Sequence, residues 1–204
     1  MKIAIVGKMR SGKSIACDYI KNKLNAEKFE FSDPVKEVSK IIFNDKVKNR
    51  KNLVKIGQHM RKMDENVWVN IIERRMDEYL DTSSIVVSSI RQQNEYDMLK
   101  KKGFIFIKIE TLKSIRIDRC LENKDTDFEK QLDSSLENEL DNFECDYLIK
   151  NNGTLEEFYM QIDLILYKIS QDSFAKAFKR KIGEGVNQKE LEKRIIKFGL
   201  KEVL

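Results

Sequence analysis

Residues Gly7-Lys8-Met9-Arg10-Ser11-Gly12-Lys13-Ser14 fit the pattern G-x-x-x-x-G-K-[ST], and no other stretch restricts the fold as much. Lys2-Ile3-Ala4-Ile5-Val6 before them reads as a short apolar strand, and Ile15-Ala16-Cys17-Asp18-Tyr19-Ile20 after them opens a helical pattern. A glycine-bearing turn between a strand and a helix aims several backbone N–H groups at one small volume, and the helix start adds a partial positive charge. The expected ligand is a nucleotide triphosphate, gripped along Gly7 to Ser14. In this pattern Lys13 reaches the β- and γ-phosphates, and the Ser14 hydroxyl ligates Mg²⁺, the expected cofactor.

The remaining pattern extends this into an α/β chain. Strands are predicted at Ile3–Val6, Phe29–Phe31, Ile85–Val87, Phe104–Ile109 and Tyr147–Ile149, separated by helical stretches. Near-continuous β-branched runs of this kind indicate a buried parallel sheet with helices on both faces, a P-loop-type three-layer αβα sandwich. Asp33-Pro34 reads as a helix start, with Asp33 as N-cap and Pro34 in the first turn. Further helices are predicted over Leu53–Met63, Trp68–Tyr79, Asn94–Lys102, Ile115–Leu121, Leu132–Phe143 and Leu155–Ile169. The long excursion between the second and third strands, about 33–80, suits a flap for a second substrate. Residues 1–170 then form the main domain.

Residues 171–204 change in texture. Lys176, Lys179, Arg180, Lys181, Lys193, Arg194, Lys197 and Lys201 are interleaved with apolar residues, and Gly183 and Gly185 suggest a break between two helices. This basic extension suits a packed hairpin or a homodimer arm better than a contact for an anionic polymer.

The chain has 204 residues and a net charge of +5, which favours anionic partners in general without selecting nucleic acid. No aromatic-and-basic signature of a nucleic-acid reader is present. Neither a bilayer-spanning apolar run nor a secretory h-region is found, so membrane association is not expected and the expected location is cytoplasmic. Cys17, Cys120 and Cys145 are far apart and form no C-x-x-C pair, which suits free thiols. His59 is the only histidine, so neither a His-rich metal centre nor a Ser-His-Asp triad elsewhere in the chain is expected.

Five stretches in order resemble the phage-type deoxynucleoside monophosphate kinases. They are Gly7–Ser14; Phe31-Ser32-Asp33-Pro34-Val35-Lys36; Gly57-Gln58-His59-Met60-Arg61 with Trp68; Ser89-Ile90-Arg91-Gln92-Gln93-Asn94-Glu95; and Cys145-Asp146-Tyr147-Leu148-Ile149-Lys150-Asn151-Asn152-Gly153-Thr154. The resemblance covers most of residues 1–165. It implies transfer of the ATP γ-phosphate to a deoxynucleoside monophosphate, in the host cytoplasm if the chain is phage-encoded. It implies acceptor contacts from Asp33, Lys36, Gln58, Arg61, Trp68, Arg91 and Glu95, with core packing the alternative for Trp68, and donor contacts from Asn152 and Gly153. It also implies a lid at about 112–140 whose Arg116 and Arg119 assist Lys13 and Arg91 in catalysis. Arginine suits such roles because its planar fork binds phosphate bidentately.

The sequence departs from that family at Ser89, where the family's D-V-R motif has an acidic residue, and at Gln92-Gln93, which replaces a proline-bearing loop. Asp33 is the nearest carboxylate by position to compensate. Two alternatives stay open: a kinase of another small acceptor of the dephospho-coenzyme A kind, or a catalytically weak nucleotide-binding regulator.

Overall fold

The computed structural model describes residues 1–43, 50–125, 128–132, 137 and 139–183. Its strands are β1 (Lys2–Gly7), β2 (Glu27–Glu30), β3 (Ile85–Ser88), β4 (Ile105–Glu110) and β5 (Tyr147–Lys150). Its helices are α1 (Lys13–Leu24), α2 (Asp33–Phe43), α3 (Arg50–Met63), α4 (Val67–Asp77), α5 (Gln93–Lys101), α6 (Lys113–Glu122), α7 (Phe128–Leu132) and α8 (Leu155–Gly183), with a 3₁₀ turn at Leu140–Asn142. The chain divides into two compact units, Met1–Tyr159 and Met160–Leu204.

The first unit is built on one five-stranded parallel sheet in the order β2-β3-β1-β4-β5, an αβα P-loop architecture. Successive side chains of a strand point to opposite faces, and β1 shows the consequence. Ala4 and Val6 join a core with Ile72 and Met76 of α4 and Tyr96 and Leu99 of α5. Ile3 and Ile5, equally buried, face the other layer, where α1 packs on β1 and β3 through Ala16, Cys17 and Ile20. The first turn of α8 adds to that layer within the same unit, where Tyr159 stacks on Tyr19 at 4.1 Å between ring centroids.

In this strand order the chain leaves β1 and β3 toward opposite sides. A crevice therefore opens at their C-terminal ends, the place where open α/β sheets bind ligands. The phosphate loop and the segment Ser89–Gln92 both lie on that rim.

The 33–80 excursion folds as α2, α3 and α4 around Trp68. The indole is 1% exposed, clusters with Val35 and Ile56, and donates from Nε1 to the Gly57 carbonyl at 3.3 Å.

Several boundaries differ from expectation for local reasons. The second strand ends at Glu30 rather than Phe31, because its ladder runs from Glu27 opposite Ile85 to Glu30 opposite Ser88. The cap of α2 shifts by one residue: Lys36 N–H donates to the Ser32 carbonyl at 3.0 Å, so Ser32 caps the helix and Asp33 lies in its first turn. Gln92 and Glu95 form a reciprocal capping box that starts α5 at Gln93.

The helix predicted to end at Ile169 continues to Gly183, because nothing in the basic segment that follows breaks it. In the second unit, Met160 to Gly183 continue this helix. The further tail helix predicted beyond Gly185 lies outside the described residues, as do parts of the 112–140 segment at 126–127, 133–136 and 138. The stretch read as one helix over Leu132–Phe143 ends α7 at Leu132 and includes the 3₁₀ turn.

Candidate active site

The loop is shaped by two glycines. A Cβ at Gly7 would stand 2.7 Å from the Ile109 carbonyl oxygen, so no larger residue fits between β1 and β4. Gly12 has φ 103°, which favours glycine, and its Cα faces the side-chain amide of Asn151. Arg10 also takes a left-handed conformation, φ 61°, and Ser11 N–H closes the turn onto the Lys8 carbonyl at 3.1 Å. Ser11 and Met9 are buried, and Ser14 sits in the first turn of α1.

The Lys8 and Arg10 side chains turn away from the loop centre: Lys8 pairs with Asp141 at 2.6 Å and Arg10 takes Asp125 bidentately, both bonds 2.6 Å. These two residues therefore offer the loop their backbone, while their charges brace its flanks.

Lys13 Nζ donates to the Lys8 carbonyl at 2.7 Å. Burial, then the nearby Arg91 charge, lowers its pKa to about 7, with Glu137 opposing. A site that holds a desolvated ammonium beside a second cation is prepared for an anion.

The stability consequence has a definite sign. Below about pH 7 folded and unfolded chains both hold the Lys13 proton; between about 7 and the ordinary 10.5 only the unfolded chain holds it. Stability contributed by this group therefore rises with pH across that window. Urea unfolding of the free protein should show a pH slope between 7 and 10 that is smaller in Lys13→Met.

Arg116 and Arg119 of α6 reach the loop rather than solvent. Arg116 is buried, contacts the Met9 carbonyl from Nη1 at 3.5 Å, and has a buried Nε with no partner. Arg119 donates to the Arg10 carbonyl at 3.1 Å and to the Asn151 carbonyl at 3.3 Å. The Ser11 hydroxyl is likewise buried and unpartnered. Orphaned donors at the loop fit a ligand rich in acceptor oxygens.

Beside them Gly7, Lys8, Lys108, Leu112, Arg116 and Asn152 contribute to the lining of a cavity of about 420 Å³. Asn152 Oδ1 accepts the Leu112 N–H at 2.9 Å, which ties the β5 turn to the start of α6; Gly153 follows in that exposed turn.

On the β3 side one buried carboxylate organises two arginines. Glu95 Oε1 accepts from Arg61 Nη2 at 3.2 Å, and Oε2 accepts the Arg91 N–H at 2.7 Å and the Gln92 N–H at 3.2 Å. Burial raises the Glu95 pKa above the ordinary value, while those amides and the Arg61 charge oppose it. Glu95, expected at the acceptor, is 1% exposed and bonds the Arg61 guanidinium and the Arg91 backbone N–H. Trp68 is equally withdrawn, and supports the excursion by packing. Gln58 is exposed on α3 and shares a helix face with Arg61.

Asp33 and Lys36 form their own cluster. Lys36 Nζ bonds Asp33 at 2.8 Å and Glu30 at 2.9 Å. Burial works against charge on Glu30, but Lys36 and Lys28 overcome it and lower its pKa to about 2. Ser89, at φ 62°, lies within 3.4 Å of Ser32, hydroxyl oxygen to hydroxyl oxygen, and Ser32 donates to Glu30 at 3.2 Å. The carboxylate joined to Ser89 through one hydroxyl is thus Glu30.

Three residues were missed in the sequence. Glu30 closes β2 beside Ser88, a position that only strand register reveals. Asn151 is buried, and its Nδ2 donates to the Ser11 carbonyl at 2.8 Å; a polar residue directly after the β5 run was a usable signal. Glu137 is buried against Met9 and Arg91, and nothing in its acidic neighbourhood distinguishes it.

Among the described residues no three His, Cys, Asp or Glu side chains cluster as a metal site. A Ser14 hydroxyl beside phosphate oxygens and waters fits Mg²⁺, which is commonly bound through one or two protein ligands plus substrate phosphates. No helix among the described residues is long and apolar enough to cross a membrane.

A family model described as an AAA domain matches residues 3–148. No curated protein sequence matches the chain. Among solved structures, the fold resembles a shikimate kinase from Acinetobacter baumannii in complex with shikimate, with TM-score 0.51 and 16% identity over 82% of this chain and 92% of that one. It also resembles a gluconokinase from Sinorhizobium meliloti, with TM-score 0.53 and 17% identity over 85% and 95% of the two chains. A sugar kinase from Janibacter gives TM-score 0.51 and 15% identity over 82% and 93%. At these identities the likeness is one of fold.

Proposed function

The chain belongs to the AAA-domain family, matched over residues 3–148, and from that membership and its rim geometry we propose that it is an ATP-dependent phosphotransferase acting on a small anionic acceptor. The leading acceptor is a deoxynucleoside monophosphate. One observation carries the reading: the Met9 N–H and the Arg91 guanidinium bind the two oxygens of the same Glu137 carboxylate. A guanidinium from the β3 end therefore stands one anion's width from the phosphate loop, where a transferring phosphoryl group would lie.

Phosphoryl transfer asks the protein mainly for positioning and charge stabilisation. In this reading the loop amides and Lys13 hold the donor phosphates. Arg116 and Arg119 supply charge from α6, and Asn152 and Gly153 border the nucleoside side of the neighbouring cavity. Arg61 and Arg91 hold the acceptor's anionic group, with Arg91 also facing the transferring phosphoryl group, and Glu95 anchors the Arg61 guanidinium and the Arg91 backbone. Asp33, Lys36 and Gln58 face the rest of the acceptor. Mg²⁺, held by Ser14, would neutralise phosphate charge when bound.

A second reading takes a hydroxylated carboxylic acid as acceptor. The side chains of Glu30 and Asp33 support it, since carboxylates on the rim accept hydrogen bonds from hydroxyl groups. The test is ADP release from ATP and Mg²⁺ with a panel of nucleoside monophosphates, deoxynucleoside monophosphates and polyhydroxy acids. Turnover with a deoxynucleotide supports the leading reading, and turnover with the acids alone replaces it. ATP binding with no acceptor-dependent ADP release would make the protein a nucleotide-binding regulator.

Arg91→Ala should raise the acceptor KM about 10- to 100-fold, the range for a lost hydrogen bond to a charged group. Steady-state kinetics at saturating ATP measures this. Loss of ATP binding with normal acceptor binding would reverse the assignment of Arg91.

A further inference from the structure

Glu137 joins the phosphate loop to the end of β3. Its side chain is 5% exposed. Oε2 accepts the Met9 N–H at 2.6 Å, and Oε1 is paired with Arg91 Nη1. Its charge also acts on Lys13, raising a pKa that burial and Arg91 lower. One carboxylate thus draws on a loop amide, a guanidinium from the end of β3 and the field at the loop lysine, which come from three different elements. Two oxygens bridging an amide and a planar guanidinium imitate two oxygens of a phosphate group. A buried carboxylate at such a place is stable only because these partners satisfy it.

We infer that Glu137 is an internal stand-in for a phosphate group: it fills the anion position formed by the Met9 amide and Arg91, and a nucleotide phosphate must displace it to bind. The inference rests on the proposed nucleotide site and deepens it by assigning a competitor within the chain. In the free protein Glu137 balances the desolvated cations and keeps the loop and Arg91 in their binding arrangement. The same contact lowers apparent nucleotide affinity by the fraction of molecules in which the position is already taken.

The experiment is calorimetric titration of the full chain with ATP and, separately, with inorganic triphosphate. It compares wild type, Glu137→Gln, Glu137→Asp and Asp141→Asn, with thermal midpoints of the nucleotide-free samples. Glu137→Gln should bind both probes about tenfold more tightly, since it no longer supplies a competing anion, and its free thermal midpoint should fall because Arg91 loses a buried partner. Opposite signs in binding and stability are the signature; a residue that only supports the fold would lose both. Glu137→Asp, one methylene short of the loop, should shift binding in the same direction by less, and serves if the Gln variant folds poorly. Asp141→Asn removes one negative charge beside Lys8 without touching Met9 or Arg91, and should change affinity little.

An equal gain in Asp141→Asn would assign the effect to the general field and overturn the proposal. So would unchanged or weaker binding in both Glu137 variants while the wild type binds ATP, a result that leaves the nucleotide site standing. Failure of the wild type and all variants to bind ATP would remove the site and the proposal together.

Discussion

Lys13→Ala is expected to lower kcat by about 10²- to 10³-fold, the range seen when one preorganised donor is removed from a site of developing charge. Lys13 Nζ already stands 2.7 Å from the Lys8 carbonyl, within the loop it would serve, so no rearrangement of the backbone is needed to bring it to a phosphate. The same substitution should not destabilise the free protein. A lysine whose pKa is lowered to about 7 by burial and a neighbouring arginine carries an electrostatic cost that alanine lacks. Residues at functional sites commonly show this opposition between stability and activity. The measurement pairs single-turnover ADP formation with urea unfolding. Full activity in Lys13→Ala would remove the loop from the reaction, and a large loss of stability would mean that Lys13 is principally structural.

Trp68→Ala should destabilise the first unit by about 3–5 kcal/mol, the range for deleting a large buried aromatic side chain. The indole is 1% exposed and lies among Val35 of α2, Leu53, Ile56 and Met60 of α3 and Ile71 of α4, so the space it leaves has walls on three helices. Its removal also leaves the Gly57 carbonyl without the Nε1 donor. Trp68→Phe should lose much less, because most of the packing survives. Chemical denaturation followed by far-ultraviolet circular dichroism compares the two. Acceptor KM should rise in Trp68→Ala even under conditions where the protein stays folded, because Gln58 and Arg61 are carried on the helix that Trp68 anchors. A loss below 1 kcal/mol would show that the three helices hold together without it.

The sheet was legible because its central strands are buried on both faces. Ile85-Val86-Val87 and Ile3-Ala4-Ile5-Val6 are unbroken apolar runs, which few other structures accommodate. The edge strand was harder. In Glu27-Lys28-Phe29-Glu30 only one side meets a neighbour, so charged residues are tolerated and the aromatic pair drew the boundary toward Phe31. The loop was legible from its glycines, and Arg91 from its place after β3. Arg61 was singled out through a resemblance, and the buried Glu95 beside it bonds its guanidinium. Glu30, Asn151 and Glu137 were not singled out. Each gains its position from contacts across long sequence separations, Glu137 with Met9 and Arg91, Asn151 with Ser11, and Glu30 through Ser32 with Ser89. Local pattern carries no record of such pairings. The reach of α8 to Gly183 was missed for the opposite reason: the basic texture after residue 171 looked like a boundary, yet lysine and arginine are good helix formers.

The chain has a single tryptophan, and it lies at the centre of the α2–α3–α4 cluster with its ring nitrogen on the carbonyl next to Gln58. Indole fluorescence therefore comes from one place, within the α2–α3–α4 cluster. Movement of that cluster when an acceptor arrives would register as a change in emission without any label, while events confined to the triphosphate would leave the signal quiet. On the proposed function, the indole is thus a built-in optical reporter for the order in which donor and acceptor bind.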